Sequence, residues 1–298
     1  LKMKPAQTFG SFDLASSDMV IRPASKTDQD DLERLLNTSN HVHRHLDWRS
    51  ALDWLGYQPF WVLQKNQRLL AALACLPDPP EVAWVRLFAA ADSIDPFEAW
   101  LALWGKIRQN DSLTLSGQIV ALALQKWFEG VLVQSGFNQH QTIVVLVWKS
   151  RRTILERPLP ASVSLRPMSI NDLEEVQKLD EIAFDPLWRI SLSAMRNAFQ
   201  QSAYATVAQS GGKIIGYQLS TSTPYSAHLA RLAVHPQQQR QNIGHALVQD
   251  FLQFTRANDL WRVTVNTQSD NYASLALYAQ VGFGTTNENF PVFTLNWK

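Results

Sequence analysis

The run Val234-His235-Pro236-Gln237-Gln238-Gln239-Arg240-Gln241-Asn242-Ile243-Gly244-His245-Ala246 has the residue types and spacing that most directly imply chemistry. Apolar residues from Leu229 to Val234 predict a strand, and the polar run after Pro236 predicts a turn. Ile243, Ala246, Leu247, Val248, Phe251, Leu252 and Phe254 then recur at helical spacing. A strand that passes through a tight loop into a helix leaves the helix's first backbone N–H groups without intrahelical partners, with the positive end of the helix dipole behind them. Such a terminus binds phosphate. Asn242 stands where the loop must turn, and after glycine asparagine is among the residues that best tolerate positive φ.

A second block, Asn271-Tyr272-Ala273-Ser274-Leu275-Ala276-Leu277-Tyr278-Ala279-Gln280-Val281-Gly282-Phe283, follows the apolar stretch Trp261 to Val265. Taken singly, each block is moderate evidence, since Gly-x-Ala before a helix is common and a tyrosine on an amphipathic helix is more often core than catalyst. In this order and separation they resemble the GNAT superfamily of acyl-CoA-dependent N-acyltransferases. The family's pyrophosphate loop reads Gln/Arg-x-x-Gly-x-Gly/Ala, matched here by Gln239, Asn242 and Gly244 with Asn242 in place of glycine. Its later motif, Asn-x-x-Ala/Ser-x-x-x-Tyr-x-x-x-Gly-Phe, is matched at Asn271, Ser274, Tyr278, Gly282 and Phe283.

The resemblance implies an acetyl-CoA site and no metal. Backbone groups of Leu232, Ala233 and Val234 would hold the pantetheine arm and polarise the thioester carbonyl. Gln239, Arg240, Gln241, Asn242, Ile243, Gly244, His245 and Ala246 would surround the pyrophosphate. Asn271, Ser274 and Tyr278 would complete the site, with the Tyr278 phenol reaching the sulfur and donating to the departing thiolate. The implied reaction moves an acetyl group to a primary amine by direct attack in a ternary complex, the acceptor being a small molecule or a protein amine. Such an attack needs a neutral amine, oxyanion stabilisation and help for the leaving thiolate. Ala227 to Val234 contains no carboxylate, only His228 and Arg231, so His228 is one candidate base, and Asp180, Glu181 and Asp185 are others. Lack of an obvious base favours an acceptor such as an α-amine, whose pKa near 8 leaves it partly neutral. The alternative is a catalytically idle acetyl-CoA-binding protein that regulates a partner.

Composition narrows the classes. The chain has 298 residues, 46% of them hydrophobic, and a formal net charge of +1, which favours neither nucleic acid nor a membrane surface. No apolar run approaches the roughly 20 residues that span a bilayer, so a cytoplasmic location is expected. Cys75, the only cysteine, lies in an apolar run and is expected to pack. His41, His43 and His45 alternate without cysteines or spaced carboxylates, a weak metal signature.

The chain also echoes itself at an offset of about 145 residues, too long for a solenoid unit and suited to duplicated domains. Ile21-Arg22-Pro23 matches Leu165-Arg166-Pro167, Trp84 to Ala89 matches Leu229 to Val234, and Gly136-Phe137 matches Gly282-Phe283. The first copy, however, has Asp92 and Asp95 where phosphate would sit, and Leu132 opposite Tyr278. Asp95-Pro96 reads as an ordinary helix start. Two tandem GNAT-like α+β domains follow, each a mixed, mostly antiparallel sheet flanked by helices: a degenerate copy over 18–150, a linker over 151–160 and the acetyl-CoA-binding copy over 161–298. Eight of the eleven tryptophans, including Trp100 and Trp104 at helical spacing, fall in the first copy and are expected to pack. A monomer, as a pseudo-dimer of domains, or a homodimer is expected, the first copy forming a wall of the acceptor cleft or a platform for a partner.

Overall fold

The structure is a computed structural model that describes residues 18–109, 117–149 and 157–296. Its contacts divide the chain into two units, one running to His140 and resuming at Val292, the other Gln141–Pro291. Residues 151–156, most of the expected linker, lie outside the described residues.

The first unit contains β1 (Met19–Pro23), α1 (Gln29–Thr38), β2 (His41–Arg44), β3 (Phe60–Lys65), β4 (Arg68–Pro77), β5 (Val82–Ala90), α2 (Pro96–Ile107), β6 (Gln118–Leu122), α3 (Lys126–Gln134) and the start of β7 (Asn138–Lys149). Its sheet runs β1-β3-β4-β5-β6 and is completed beyond β6 by Val292–Asn296, with β2 lying along β5. Among the described residues, only β5 and β6 are parallel among its strand pairs. Every residue of β5 is buried, as expected of a strand covered on both faces. α2 starts as the sequence implies: the Asp95 carboxylate accepts from the Phe97 and Glu98 N–H groups, both at 2.9 Å, and Pro96 takes the first helical position. Trp100 and Trp104 stack at 5.2 Å between centroids inside the core, and Cys75 is buried. Asp92 accepts from the Asn40 N–H and Nδ2 groups, while His43 stacks on Phe128 and His45 on Trp84.

The second unit contains β8 (Val163–Pro167), α4 (Leu173–Ala183), α5 (Leu192–Gln201), β9 (Tyr204–Ser210), β10 (Lys213–Ser222), β11 (Ser226–Val234), α6 (Ile243–Ala257), β12 (Arg262–Gln268), α7 (Tyr272–Gln280) and most of β13 (Gly284–Asn296). Its sheet runs β8-β9-β10-β11-β12, continues with Ile143–Lys149 of β7, and ends with β13. β11 and β12 are parallel, while β12 and β7 are antiparallel. Each unit is therefore a mixed sheet flanked by helices, as expected, and each takes one strand from the other half of the sequence.

The repeat is visible atom by atom. Arg22 donates through Nε to Gln64 and through both terminal nitrogens to Asp28; Arg166 does the same to Gln209 and Asp172. Gly136 and Gly282 both have positive φ at a helix end, and the following Phe137 and Phe283 N–H groups donate to the carbonyls of Leu132 and Tyr278. Leu132 is thus the structural counterpart of Tyr278. Among the described residues no helix is long and apolar enough to cross a membrane.

Candidate active site

The site is built on a strand that loses its neighbour. β10 pairs with one edge of β11 along its length, but on the other edge the parallel pairing with β12 stops at Leu229↔Val265. From Ala230 to Val234 that edge meets no strand among the described residues, leaving backbone donors and acceptors available. A bulge at Ala230 sets Leu219 opposite Arg231 and Ser220 opposite Leu229. It shifts the side-chain alternation by one. Leu229 packs with Val248, Phe251 and Leu252 of α6, whereas Arg231 turns to Asp180 of α4.

The chain then turns through two left-handed residues, Arg240 (φ 65°) and Asn242 (φ 63°), before α6 begins. Asn242 adopts the positive φ that its position in the loop motif requires, and its Nδ2 donates to the Pro158 carbonyl at 3.3 Å. Glycine is needed beside it for close packing. A Cβ on Gly244 would lie 3.3 Å from Leu277 Cδ2, and one on Gly216 would lie 3.2 Å from the Ala233 oxygen, Ile243 Cγ2 and Leu247 Cδ1. The absence of these methyls lets the first turn of α6 settle on β10, β11 and α7.

A cavity of about 760 Å³ opens at this turn. Leu232, Ala233, Val234, Gln239, Arg240, Asn242, Ile243, Gly244, His245, Asn271 and Ser274 line it, and Asn271 caps α7 by accepting from the Ser274 N–H. Gln241 and Ala246 do not. Neither does Tyr278: it is 4% exposed, its ring packs 5.6 Å from that of Phe283 in the α6–α7 core, and burial raises its pKa above the ordinary value. His228 also lies off the cavity, with its Nδ1 2.9 Å from Thr264 Oγ1 and burial lowering its pKa. The motif resemblance points to Tyr278 on α7, but which way that residue faces depends on what α7 packs against.

The carboxylates separate clearly. Asp180 is fully buried and accepts from Arg231 Nε and Nη2, from the Tyr217 hydroxyl and from the Ile190 N–H. Arg231 also donates to the Trp188 carbonyl at 2.6 Å and lies 4.0 Å above the Phe184 ring. Asp180 therefore fixes the chain between α4 and α5. Glu181 is exposed and accepts from Gln177. Asp185 alone of the three carboxylates lines the cavity, on a wall with Phe184, Trp188 and Gln141, whose Oε1 accepts from Trp188 Nε1 at 3.0 Å. Gln141 is not legible from local pattern, because β7 reaches this sheet from the other half of the chain. Arg157 and Asp270 also line the cavity, and no sequence motif marks either one.

In the first unit the same stretch of strand is closed. β5 pairs with β6 only from Val82 to Trp84, and β2 then takes over the edge, pairing His41–Arg44 with Ala90–Leu87. Those β5 residues are the repeat counterparts of Leu232 to His235. The segment that forms a strand there corresponds, in the second unit, to the Phe184–Ile190 wall. Asp95 meanwhile fills the end of α2 with its own carboxylate.

Residues 178–293 match the acetyltransferase (GNAT) domain family. The second unit is a GNAT domain. Among relatives of the chain, the N-alpha-acetyltransferase RimI of Mycobacterium tuberculosis is 34% identical over 80 residues, 26% of this chain and 49% of that protein. N-acetyltransferase family 8 member 3 of Mus musculus is 39% identical over 62 residues, 21% of this chain and 27% of that protein. The chain thus spans about half or less of these relatives' length. Among solved structures, a tandem GNAT protein from the clavulanic acid biosynthesis pathway aligns with a TM-score of 0.65 at 18% identity, covering 94% of this chain and 99% of that one. A GCN5-related N-acetyltransferase from Sphaerobacter thermophilus gives a TM-score of 0.63 at 15% identity, covering 95% and 96%. At such identities the likeness is one of fold, and it extends beyond the GNAT domain to the first unit.

Proposed function

We propose that the chain is an N-acetyltransferase that binds acetyl-CoA in its second unit only and transfers the acetyl group to a primary amine by direct attack in a ternary complex. One observation carries this reading: a single cavity joins the Arg240–Asn242 turn, the Leu232–Val234 stretch of β11 and the wall of Phe184, Asp185 and Trp188. The residues suit each portion of acetyl-CoA. The first N–H groups of α6, with Arg157 and Arg240, suit the phosphates. The unpaired β11 edge suits the amide-bearing pantetheine arm, which can pair as a strand would. A β11 N–H facing the thioester carbonyl would stabilise the developing oxyanion.

Asp185 is the group best placed to draw the amine in and accept its proton as the C–N bond forms and the C–S bond breaks. A carboxylate is a weak base near neutral pH, which suits an acceptor of low amine pKa. An α-amine fits this requirement, and the relative RimI is named as an N-alpha-acetyltransferase.

The test is a calorimetric titration of acetyl-CoA into the full chain, followed by acetylation of peptides with free or blocked N-termini. One site per chain, lost in Gly244→Asp, and turnover on free N-termini are expected. Two sites would overturn the assignment to the second unit, and no binding would overturn the cosubstrate. The burial of Tyr278 favours a second reading, an acetyl-CoA-binding regulator without turnover; binding with no acetylation of any amine would support it.

A further inference from the structure

His245 leaves its hydrogen-bonding capacity unused. It sits in the first turn of α6, is 3% exposed, and neither Nδ1 nor Nε2 meets a hydrogen-bond partner among the described residues. The residue nevertheless lines the cavity beside the Arg240–Asn242 turn. Side chains on a helix lean toward its N-terminus, which brings this ring over the loop where phosphate is expected. A buried imidazole with no partner is costly, so the site is incomplete without a group that bonds to it.

The charges around the ring identify that group. Arg157, from the segment before β8, and Arg240, from the loop, are the cations on this cavity wall. Asp270 lies toward α7 and Asp185 on the far wall, while Asp250, further along α6, is bonded to the Tyr204 and Thr206 hydroxyls. Burial, and then the charge of Arg157, hold the proton affinity of His245 below its ordinary value. A polyanion entering between these cations reverses that balance.

We propose that the His245 imidazole is a proton-linked ligand of the cosubstrate's pyrophosphate, taking a proton from solvent as the ligand enters and donating N–H to a phosphate oxygen. One N–H bond forms on the ring as a hydronium ion or buffer acid gives up its proton; no other covalent bond changes. The proposal rests on the acetyl-CoA reading of this cavity and adds a pH dependence to it. Affinity rises as pH falls between the free and bound pKa of His245, by up to about tenfold per pH unit.

The experiment is calorimetry of the full chain with acetyl-CoA near neutral pH in two buffers of different ionisation enthalpy, on the parent and on His245→Gln. Net proton uptake is expected to be larger in the parent by about half to one proton per ligand. Dephospho-CoA should keep the difference. Equal uptake in parent and variant overturns the proposal while leaving the acetyl-CoA reading standing, and no binding by the parent overturns both. Loss of the difference with dephospho-CoA overturns the assignment to the pyrophosphate, placing the ring on the 3′-phosphate. Should His245→Gln fail to fold, the histidine ring resonances of the parent decide: the pKa of His245 must rise on binding, and an unchanged value overturns the proposal.

Discussion

Asp180→Asn is expected to loosen the second unit more than any other near-isosteric change in it. The Asp180 carboxylate is fully buried and receives four donors: Arg231 Nε and Nη2, the Tyr217 hydroxyl and the Ile190 N–H. Asparagine keeps the shape, offers one acceptor oxygen and turns an NH₂ toward groups that are themselves donors. Arg231, only 13% exposed at its side chain, loses its counter-charge. Removing one partner of a buried pair costs about 3–5 kcal/mol. A Coulomb estimate at an effective dielectric of about 20 and a separation of about 3.5 Å gives roughly 5 kcal/mol, and the partial exposure of Arg231 places the expectation near ~3–4 kcal/mol. Hydrogen exchange of β10 and β11 amides reads this loss within the second unit alone. Because Trp188 and Ile190 are bonded in the same network, KM for the amine should rise more than Kd for acetyl-CoA. Pairing Arg231→Met with Asp180→Asn should recover about 2 kcal/mol relative to additivity. A loss under about 1 kcal/mol in the single variant, or additivity in the pair, would refute the reasoning.

Three further outcomes follow from the same geometry. Gly216→Val forces a side chain against the Ala233 carbonyl, Ile243 and Leu247, and should cost about 1–3 kcal/mol and weaken acetyl-CoA binding, read by denaturation and calorimetry. At Asn242, held at φ 63°, glycine should be tolerated, whereas valine should cost about 1–2 kcal/mol or more in thermal unfolding and lower the affinity. His43, buried against Phe128 and the Val85 carbonyl, is pushed down to about 4, so the unfolded chain, titrating near 6.5, binds more protons between those values. Stability of the first unit should therefore be undiminished above pH 6.5 and fall as pH drops toward 4, by on the order of 2 kcal/mol between pH 7 and pH 5. His45 shifts the same way. Denaturation followed by tryptophan fluorescence should show a flatter pH dependence in His43→Gln; identical slopes would contradict the assignment.

Features set by neighbours in sequence were legible, and those set by distant partners were not. The strand, turn and helix around Asn242 follow from local periodicity and from one residue's tolerance of positive φ. The Asp95 cap and the matched Gly-Phe helix ends are equally local, and they aligned Leu132 with Tyr278 correctly. Whether a tyrosine at that position faces cavity or core depends on α6 and Phe283, which the sequence of α7 does not encode. The wall of Phe184, Asp185 and Trp188 depends on a buried pair between Asp180 and Arg231, 51 residues apart. The closing of the first unit's edge by β2 was hidden for the same reason: strand pairing is long-range, and His41–Arg44 has no pattern that sets it apart from a loop.

The strand exchange sets an order for synthesis. Gln118 at the edge of β6 meets Asn296, 178 residues later, so the sheet of the first unit stays unfinished while the entire second unit is being translated. At about 5–20 residues per second, that leaves roughly 10–35 s during which the apolar Gln118–Leu122 edge lacks its neighbour. An open edge of this kind recruits other strands. Slow codons anywhere between those for Leu122 and Asn296 would lengthen the exposure, so the yield of this protein is tied to how quickly the ribosome reaches Val292–Asn296.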